Sequence, residues 1–251
     1  MKKKKYINNA MTLTCLGSSS KGNCYILTSR SGESLILEAG ISLNTVKKAL
    51  DFDMTGVVGV LCTHRHGDHA KYLAEFNNAG IKVFSSDDVK NSLPENSRYM
   101  LKEIKAFSGI TIGAYRIFVL PMHHDVPCFG FVIEHADMGK ILFATDTYKI
   151  THRVEGINYY LIETNYCDSM LEENIINGTL PLFMRDRIMK SHMEVTKSVE
   201  YLKKCNLKPC KGVYLIHLSE NNSDASKFVN IAEKALGIPC QVLSANMKIS
   251  L

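Results

Sequence analysis

The chain has no uninterrupted apolar stretch approaching the ~18 residues that a membrane-spanning helix requires, so no membrane segment is expected. The basic run Lys2–Lys5 leads into Tyr6-Ile7-Asn8-Asn9 and not into the apolar core of a secretory leader, which makes a cytoplasmic location the expectation. Cysteine is sparse: eight in 251 residues is far below the density of a disulfide scaffold, and Cys205 and Cys210 have no matching second pair. Reduced, mostly buried thiols are expected. Charge of one sign is also scarce. Thirty Lys and Arg against 25 Asp and Glu leave +5, with four of the lysines in one N-terminal run, too weak a surplus to establish a nucleic-acid binder. There is no low-complexity linker and no repeat that forces a boundary. Residues 1–11 read as a basic tail and 12–251 as one domain.

What is present is ordinary for a folded protein, 45% hydrophobic and 22% charged, with nine unevenly placed histidines as the exception. Short apolar runs at Thr12 to Leu16, Tyr25 to Thr28 and Ser34 to Leu37 are separated by Gly17–Asn23 and Ser31-Gly32, which predicts a strand meander. Ser42 before Leu43, Val46 and Leu50 predicts a capped helix. Val57 to Leu61 predicts a buried strand, and Tyr72, Leu73, Phe76 and Ala79 a helix ended by Gly80. Ile81 to Phe84 predicts a strand, and Ser86 caps a helix reaching about Leu93-Pro94. Strands follow at Arg116 to Leu120, Phe129 to Glu134, Ile141 to Ala144 and Tyr159 to Ile162, with Gly139-Lys140 as a turn. The last third alternates helix and strand: Glu194 to Lys204, Val213 to Ile216, Ala225 to Leu236, Gln241 to Leu243. Early strands and a late α/β alternation predict an α/β fold of two sheets covered by helices.

Chemistry concentrates in Thr63-His64-Arg65-His66-Gly67-Asp68-His69, directly after a buried-strand pattern and at a helix start. In extended chain, residues two apart face one side, so His64 and His66 can share an ion. The turn into helix swings Asp68 and His69 towards a second. Two ions about 3.5–4 Å apart suit an in-line displacement.

These residues resemble the metallo-β-lactamase superfamily, whose motifs are a His-x-His-x-Asp-His run, a later His, a later bridging Asp and a last His, each after a strand. The matching positions are His124, Asp146 in Ile141–Thr147, and His217 in Leu215–Ser219. The resemblance implies a four-layer αββα sandwich of two mixed sheets. It also implies two sites, His64, His66 and His124 for one divalent ion and Asp68, His69 and His217 for the other, with Asp146 bridging. Zn²⁺ suits such donors best, with Mn²⁺ or Fe²⁺ as alternatives. No cysteine falls at a ligand position, and Cys62 reads as a core thiol. His123 competes with His124 for the third-motif position, but the His-x-Val-x-x-x-Gly-aromatic pattern of related nucleases starts at His124.

Three segments, Leu16–Tyr25, Ile162–Leu171 and His217–Asn222, are similar to the WalJ/YycJ-type bacterial members, regarded as DNA exonucleases, and more distantly the chain resembles ribonuclease Z. The 71 positions from Asp146 to His217 are too few for the cap domain of β-CASP nucleases, and the 22 from His124 to Asp146 leave no room for the tRNA-binding arm of ribonuclease Z. The resemblance thus implies a phosphodiesterase or nuclease in which a hydroxide between the ions attacks phosphorus in line, oriented by Asp68, with nucleic acid as substrate. His192, in Ser191-His192-Met193, would steady a phosphoryl oxygen or protonate the leaving oxygen, unless it only caps a helix. Ser219, Asn221 and Asn222 are candidate phosphate contacts, and the 18–23 loop a groove border. The alternatives are a thioesterase or lactonase of the same superfamily, or a nucleic-acid-binding module without turnover. Two departures stand out: Glu38 occupies a position where the superfamily usually has Asp, and Met193-Glu194 replaces Leu-Ser after His192. Lys2–Lys5 and the set Lys203, Lys204, Lys208 and Lys211 are either nucleic-acid contacts or solvated surface.

Overall fold

The computed structural model describes residues 10–251; the Lys2–Lys5 run lies outside the described residues. The first half of the chain runs β1 (Thr12–Ser19), β2 (Gly22–Thr28), β3 (Ser34–Leu37), α1 (Leu43–Ala49), β4 (Val57–Leu61), α2 (Gly67–Ala70), α3 (Leu73–Asn78), β5 (Val83–Ser85), α4 (Asp87–Ser92) and β6 (Leu101–Glu103). The second half runs β7 (Gly109–Ile112), β8 (Tyr115–Met122), β9 (Cys128–His135), β10 (Gly139–Ala144), β11 (Tyr159–Glu163), α5 (Asp168–Ile176), α6 (Leu182–Ser191), α7 (Val195–Lys203), β12 (Gly212–Ile216), α8 (Ala225–Leu236), β13 (Cys240–Val242) and β14 (Met247–Ser250).

These strands make two seven-stranded mixed sheets, ordered β14-β1-β2-β3-β4-β5-β6 and β7-β8-β9-β10-β11-β12-β13. Each sheet has three antiparallel pairings followed by three parallel ones. Side chains alternate between faces along a strand, so each sheet presents one face inward and one to helices. Leu13, Tyr25, Leu37 and Leu61 meet Ile117, Phe131, Phe143, Leu161 and Ile216 between the sheets. Tyr25 stands edge-on to Phe143 with ring centroids 5.5 Å apart. Val46, Leu73, Phe76 and Val89 cover the outer face of the first sheet, and Val199, Leu202, Phe228 and Ala232 that of the second. The result is the αββα sandwich. Burial of each such large apolar side chain contributes roughly 1.5–3 kcal/mol.

The caps agree with the local sequence. The Ser42 hydroxyl accepts from Thr45 N–H at the start of α1 and the Ser86 hydroxyl from Val89 N–H at the start of α4. Two turn expectations shift. The 17–23 stretch continues the β1–β2 hairpin out to Ser19 and Gly22, bulged between Cys15 and Gly17, because Gly17 lets the Gly22 carbonyl approach where a Cβ would collide. Gly139 and Lys140 pair with His135 and Glu134 as the start of β10, so the reversal falls just before them. All eight cysteines carry free thiols, and Cys62 is buried with its Sγ 3.2 Å from the His64 carbonyl oxygen. Among the described residues no helix is long and apolar enough to cross a membrane.

Strand direction places the site. β8, β10, β11 and β12 point the same way, as do β1, β3 and β4 of the facing sheet, so their C-terminal ends gather at one edge of the sandwich. That edge is where open α/β sheets leave a crevice for ligands.

Candidate metal centre

The His-x-His-x-Asp-His run leaves the end of β4, bends, and enters the four-residue α2 with His66 as its N-cap in extended conformation. Gly40 makes this bend possible: the Asp68 carbonyl packs where a Gly40 Cβ would stand. His124 follows β8, Asp146 follows β10 and His217 follows β12. Asp146 and His217 hold left-handed backbone (φ 49 and 55), as does Glu38 after β3 (φ 67). Such conformations cost roughly 1–3 kcal/mol and persist where surrounding structure enforces them. Here the left-handed turn follows a strand end and coincides with a buried polar side chain aimed into the crevice edge.

Two adjacent clusters result, each with ligand atoms within 4.8 Å of one another: His64, His66 and His124, and Asp68, His69, Asp146 and His217. In the first, the three imidazoles lie edge-on around one point, with centroids 4.7, 4.9 and 5.0 Å apart. In the second, Asp68 Oδ2 lies 3.2 Å from His69 Nε2 and 3.3 Å from His217 Nε2. Asp146 joins the clusters, with Oδ2 2.9 Å from His69 Nε2 and Oδ1 3.9 Å from His124 Nε2. His123 stands outside, its ring 5.6 Å from that of Tyr148.

The surroundings orient the donors for a cation. His124 Nδ1 lies 2.8 Å from the Ser191 carbonyl oxygen, which can only accept, so Nδ1 carries a proton and Nε2 is the atom turned towards the cluster. His64 Nδ1 faces the Thr63 hydroxyl at 2.9 Å, while its Nε2 is buried without a partner. His69 turns Nδ1 towards Glu38, 3.5 Å away, and His217 turns Nδ1 towards Glu163, 3.1 Å away. His124 Nε2 then sits 3.1 Å from His66 Nδ1. Imidazole nitrogens facing one another beside two carboxylates, with a buried nitrogen unpartnered, fit divalent cations, and the histidine and aspartate clusters suit a dinuclear site.

Electrostatics agree. Burial holds the His64 imidazole well below its usual value, which keeps it neutral as a ligand must be. Burial also opposes charge on His217, but Asp146, Asp68 and Glu163 outweigh it and push it up to about 10. His69 is raised against its burial by Asp146 and Glu38. Against their own burial, Asp68 is held far below the carboxylate range by hydrogen bonds from His217 and His69, and Asp146 by the charges of His217 and His69. The carboxylates thus draw protons onto two histidines where ions would otherwise supply the positive charge.

His192 joins Asp146, Glu163 and His217 in a third group, with its Nδ1 2.7 Å from Glu163 Oε1. Ser219, Asn221 and Asn222 form the turn after His217. Asn222 is buried with its amide spent on the Ser219 hydroxyl and the Asn174 side chain, and the Asn221 carbonyl accepts from Asn174. Three residues beyond the sequence-derived set emerge. Glu163, fully buried at the end of β11, joins His192, His217 and the Thr147 N–H. Asn23 puts Nδ2 3.0 Å from His69 Nε2, and Asp125 Oδ1 lies 3.1 Å from His124 Nε2. Glu163 had a signal, a carboxylate closing a run of apolar strand residues. Asp125 and Asn23 had none beyond adjacency to their motifs.

The Beta-lactamase superfamily domain model matches residues 37–218, and the chain belongs to that family. Among curated proteins it is similar to Exodeoxyribonuclease YycJ of Bacillus anthracis, 25% identical over 228 residues that cover 83% of this chain and 82% of the relative. Among solved structures it is similar to the metallo-β-lactamase fold protein YhfI from Bacillus subtilis, with a TM-score of 0.74, 14% identity and coverage of 96% and 99%. It is also similar to the short form of human tRNase Z, with a TM-score of 0.65, 14% identity and the same coverage. At such identities the two structures speak for the fold alone.

Proposed function

We propose that the protein is a dinuclear metal-dependent phosphodiesterase acting on nucleic acid, in the manner of a DNA exonuclease. The observation that carries the reading is the pair of donor clusters joined by Asp146 at an accessible edge, where the side chains of His66, Asp68 and His192 are 28%, 19% and 22% exposed. The similarity to an exodeoxyribonuclease over most of both chains supports the substrate class.

In this reading His64, His66 and His124 hold one ion, Asp68, His69 and His217 the other, and Asp146 both. Zn²⁺ fits the nitrogen and oxygen donors best. Two bound divalent ions would supply an activated water and neutralise charge gathering on the phosphoryl oxygens. Asp68, on the open side, orients the attacking water by accepting its hydrogen bond. Burial disfavours the charged form of His192, but Glu163 raises it above its ordinary value, which favours the protonated ring. From there His192 donates to a phosphoryl oxygen or to the leaving oxygen. Ser219 and the 18–23 hairpin tip border the groove.

Asp146→Ala and His66→Ala are expected to abolish metal-dependent cleavage of a bis-aryl phosphodiester and of DNA while leaving the circular dichroism spectrum unchanged. Cleavage surviving in both variants after chelation overturns the reading.

A further inference from the structure

We infer that the surface formed by Phe107, His123, Tyr148, Lys149, His152 and Arg153 is a platform that receives a single-stranded nucleic-acid segment beside the metal centre. The inference rests on the nuclease reading. It starts from an anomaly: Phe107 is 58% exposed and holds left-handed backbone (φ 60), a conformation rare for a bulky side chain. Its N–H donates to the Val119 carbonyl at 2.8 Å, which fixes the backbone and leaves the ring outside the core. Outliers of this kind gather at functional surfaces.

The ring is not isolated. It stands perpendicular to His152, with centroids 5.2 Å apart. Thr151 Oγ1 lies 3.5 Å from His123 Nε2, and the His123 ring is 5.6 Å from that of Tyr148. Lys149 Nζ lies 5.7 Å from the Tyr148 ring centre. The aromatic surface therefore continues from Phe107 to His123, whose neighbour His124 belongs to the first histidine cluster. The segment is pinned at its inner end, where Thr147 N–H donates to Glu163 and Tyr148 N–H to the His123 carbonyl.

Its charge matches an anionic strand. Residues 147–156 contain Lys149, His152 and Arg153 against a single acid, Glu155. Arg153 Nη1 donates to the Lys204 carbonyl, which brings the exposed Lys203 and Lys204 at the end of α7 beside it. Flat rings interleaved with cations that track a backbone are the chemistry of single-strand binding: every unpaired base offers a π face, and every phosphate a charge. In a duplex those faces are stacked away. The segment recognised is therefore a free strand or the frayed end of a duplex.

The test uses the metal-loaded protein, a fluorescent phosphorothioate oligothymidylate for binding, and a bis-aryl phosphodiester for turnover. Phe107→Ala is expected to weaken oligonucleotide binding by about 5- to 150-fold, the range for losing one base stack. Lys149→Glu is expected to weaken it and to flatten the slope of log affinity against log salt by about 0.7 for each phosphate no longer neutralised. Both variants should turn over the bis-aryl phosphodiester within about twofold of wild type, and should melt as wild type does. Unchanged affinity and salt slope in both variants, with a wild type that degrades DNA, overturn the platform and leave the nuclease reading intact. Wild-type binding that depends on both residues, without cleavage of any phosphodiester, leaves the platform and overturns the nuclease. A change of oligomeric state in both variants without a change in oligonucleotide affinity overturns the platform in favour of a second copy of this chain.

Discussion

Glu163 Oε1 lies 2.7 Å from His192 Nδ1 and is thereby fixed between a histidine that faces solvent and one that faces the second donor cluster. Glu163→Gln keeps the shape and removes the charge that raises His192. DNA, with its poor leaving oxygen, should then be cut about 100-fold more slowly, within the range for loss of a positioned acid, while a bis-aryl phosphodiester loses less than about 10-fold. Because protonated His192 is the working form, activity on DNA falls as pH rises through its pKa, and in the variant that fall moves to lower pH. Metal content measured on the same samples separates this from a loss of ions through His217.

Ion uptake should release protons. In the ion-free protein His217, pushed up to about 10 from an ordinary 6.5, is protonated at pH 8, and its proton must leave when Nε2 becomes a ligand. Apparent affinity therefore rises with pH up to about 10 and levels off above it. Calorimetry at pH 8 in buffers of different ionisation enthalpy counts the protons; a count of zero contradicts the ligand assignment of His217. The same shift stabilises the ion-free fold fully below pH 6.5, and that contribution is lost as pH rises through about 10.

Glycine at position 40 is demanded by the close approach of the Asp68 carbonyl, whereas position 67, at the first turn of α2, has open space around it. Gly40→Ala is expected to cost about 1–3 kcal/mol in urea unfolding and to weaken ion binding, since it displaces the segment that carries Asp68 and His69. Gly67→Ala should be neutral or stabilising by about 0.5–1 kcal/mol. Equal losses at the two positions contradict the role given to Gly40.

Chelation followed by refilling with Zn²⁺, Mn²⁺ or Fe²⁺ should raise the melting temperature in step with ion occupancy, worth about 2.7 kcal/mol at 100 times Kd. The same preparations should hydrolyse a phosphodiester faster than a thioester or a lactone. The reverse order contradicts the proposed substrate class, and tight, salt-sensitive DNA binding without turnover under any of the three ions favours a binding module.

The seven candidate ligands are legible in the chain because each follows an apolar run that the fold turns into a buried strand, so strand and ligand are written side by side. Glu38 and Glu163 are less legible. Their role lies in the partners they reach, His69 in one case and His192 with His217 in the other, and those meetings are made by sheets folding together. The α5–α6 pair leaves little periodic trace, since Ile176, Leu182 and Phe183 are 84%, 64% and 72% exposed and Leu171 is the one apolar side chain of the two helices that is buried. β6, three residues long, is set by pairing with β5 more than by its own pattern, whereas the equally short β5 and β13 fall on the runs Ile81 to Phe84 and Gln241 to Leu243 that read as strands.

The repeated pairing of the two sheets has a consequence for how the chain is threaded. The second sheet takes its outer strand, β7, from its own beginning, whereas the first takes β14 from the far end of the chain. Leu251 N–H donates to the Met11 carbonyl at 2.9 Å, so these two positions meet. Joined there and opened between Glu103 and Gly109, the chain would read β7 to β13 and then β14 and β1 to β6, two seven-strand units in tandem. Glu38 and Asp146 would fall at the same place in each unit, after the fourth strand and in the same left-handed turn. In strand topology the protein is a ring of two equivalent halves, and its carboxylates at those equivalent corners do different work: one joins the two donor clusters, and the other stands behind His69.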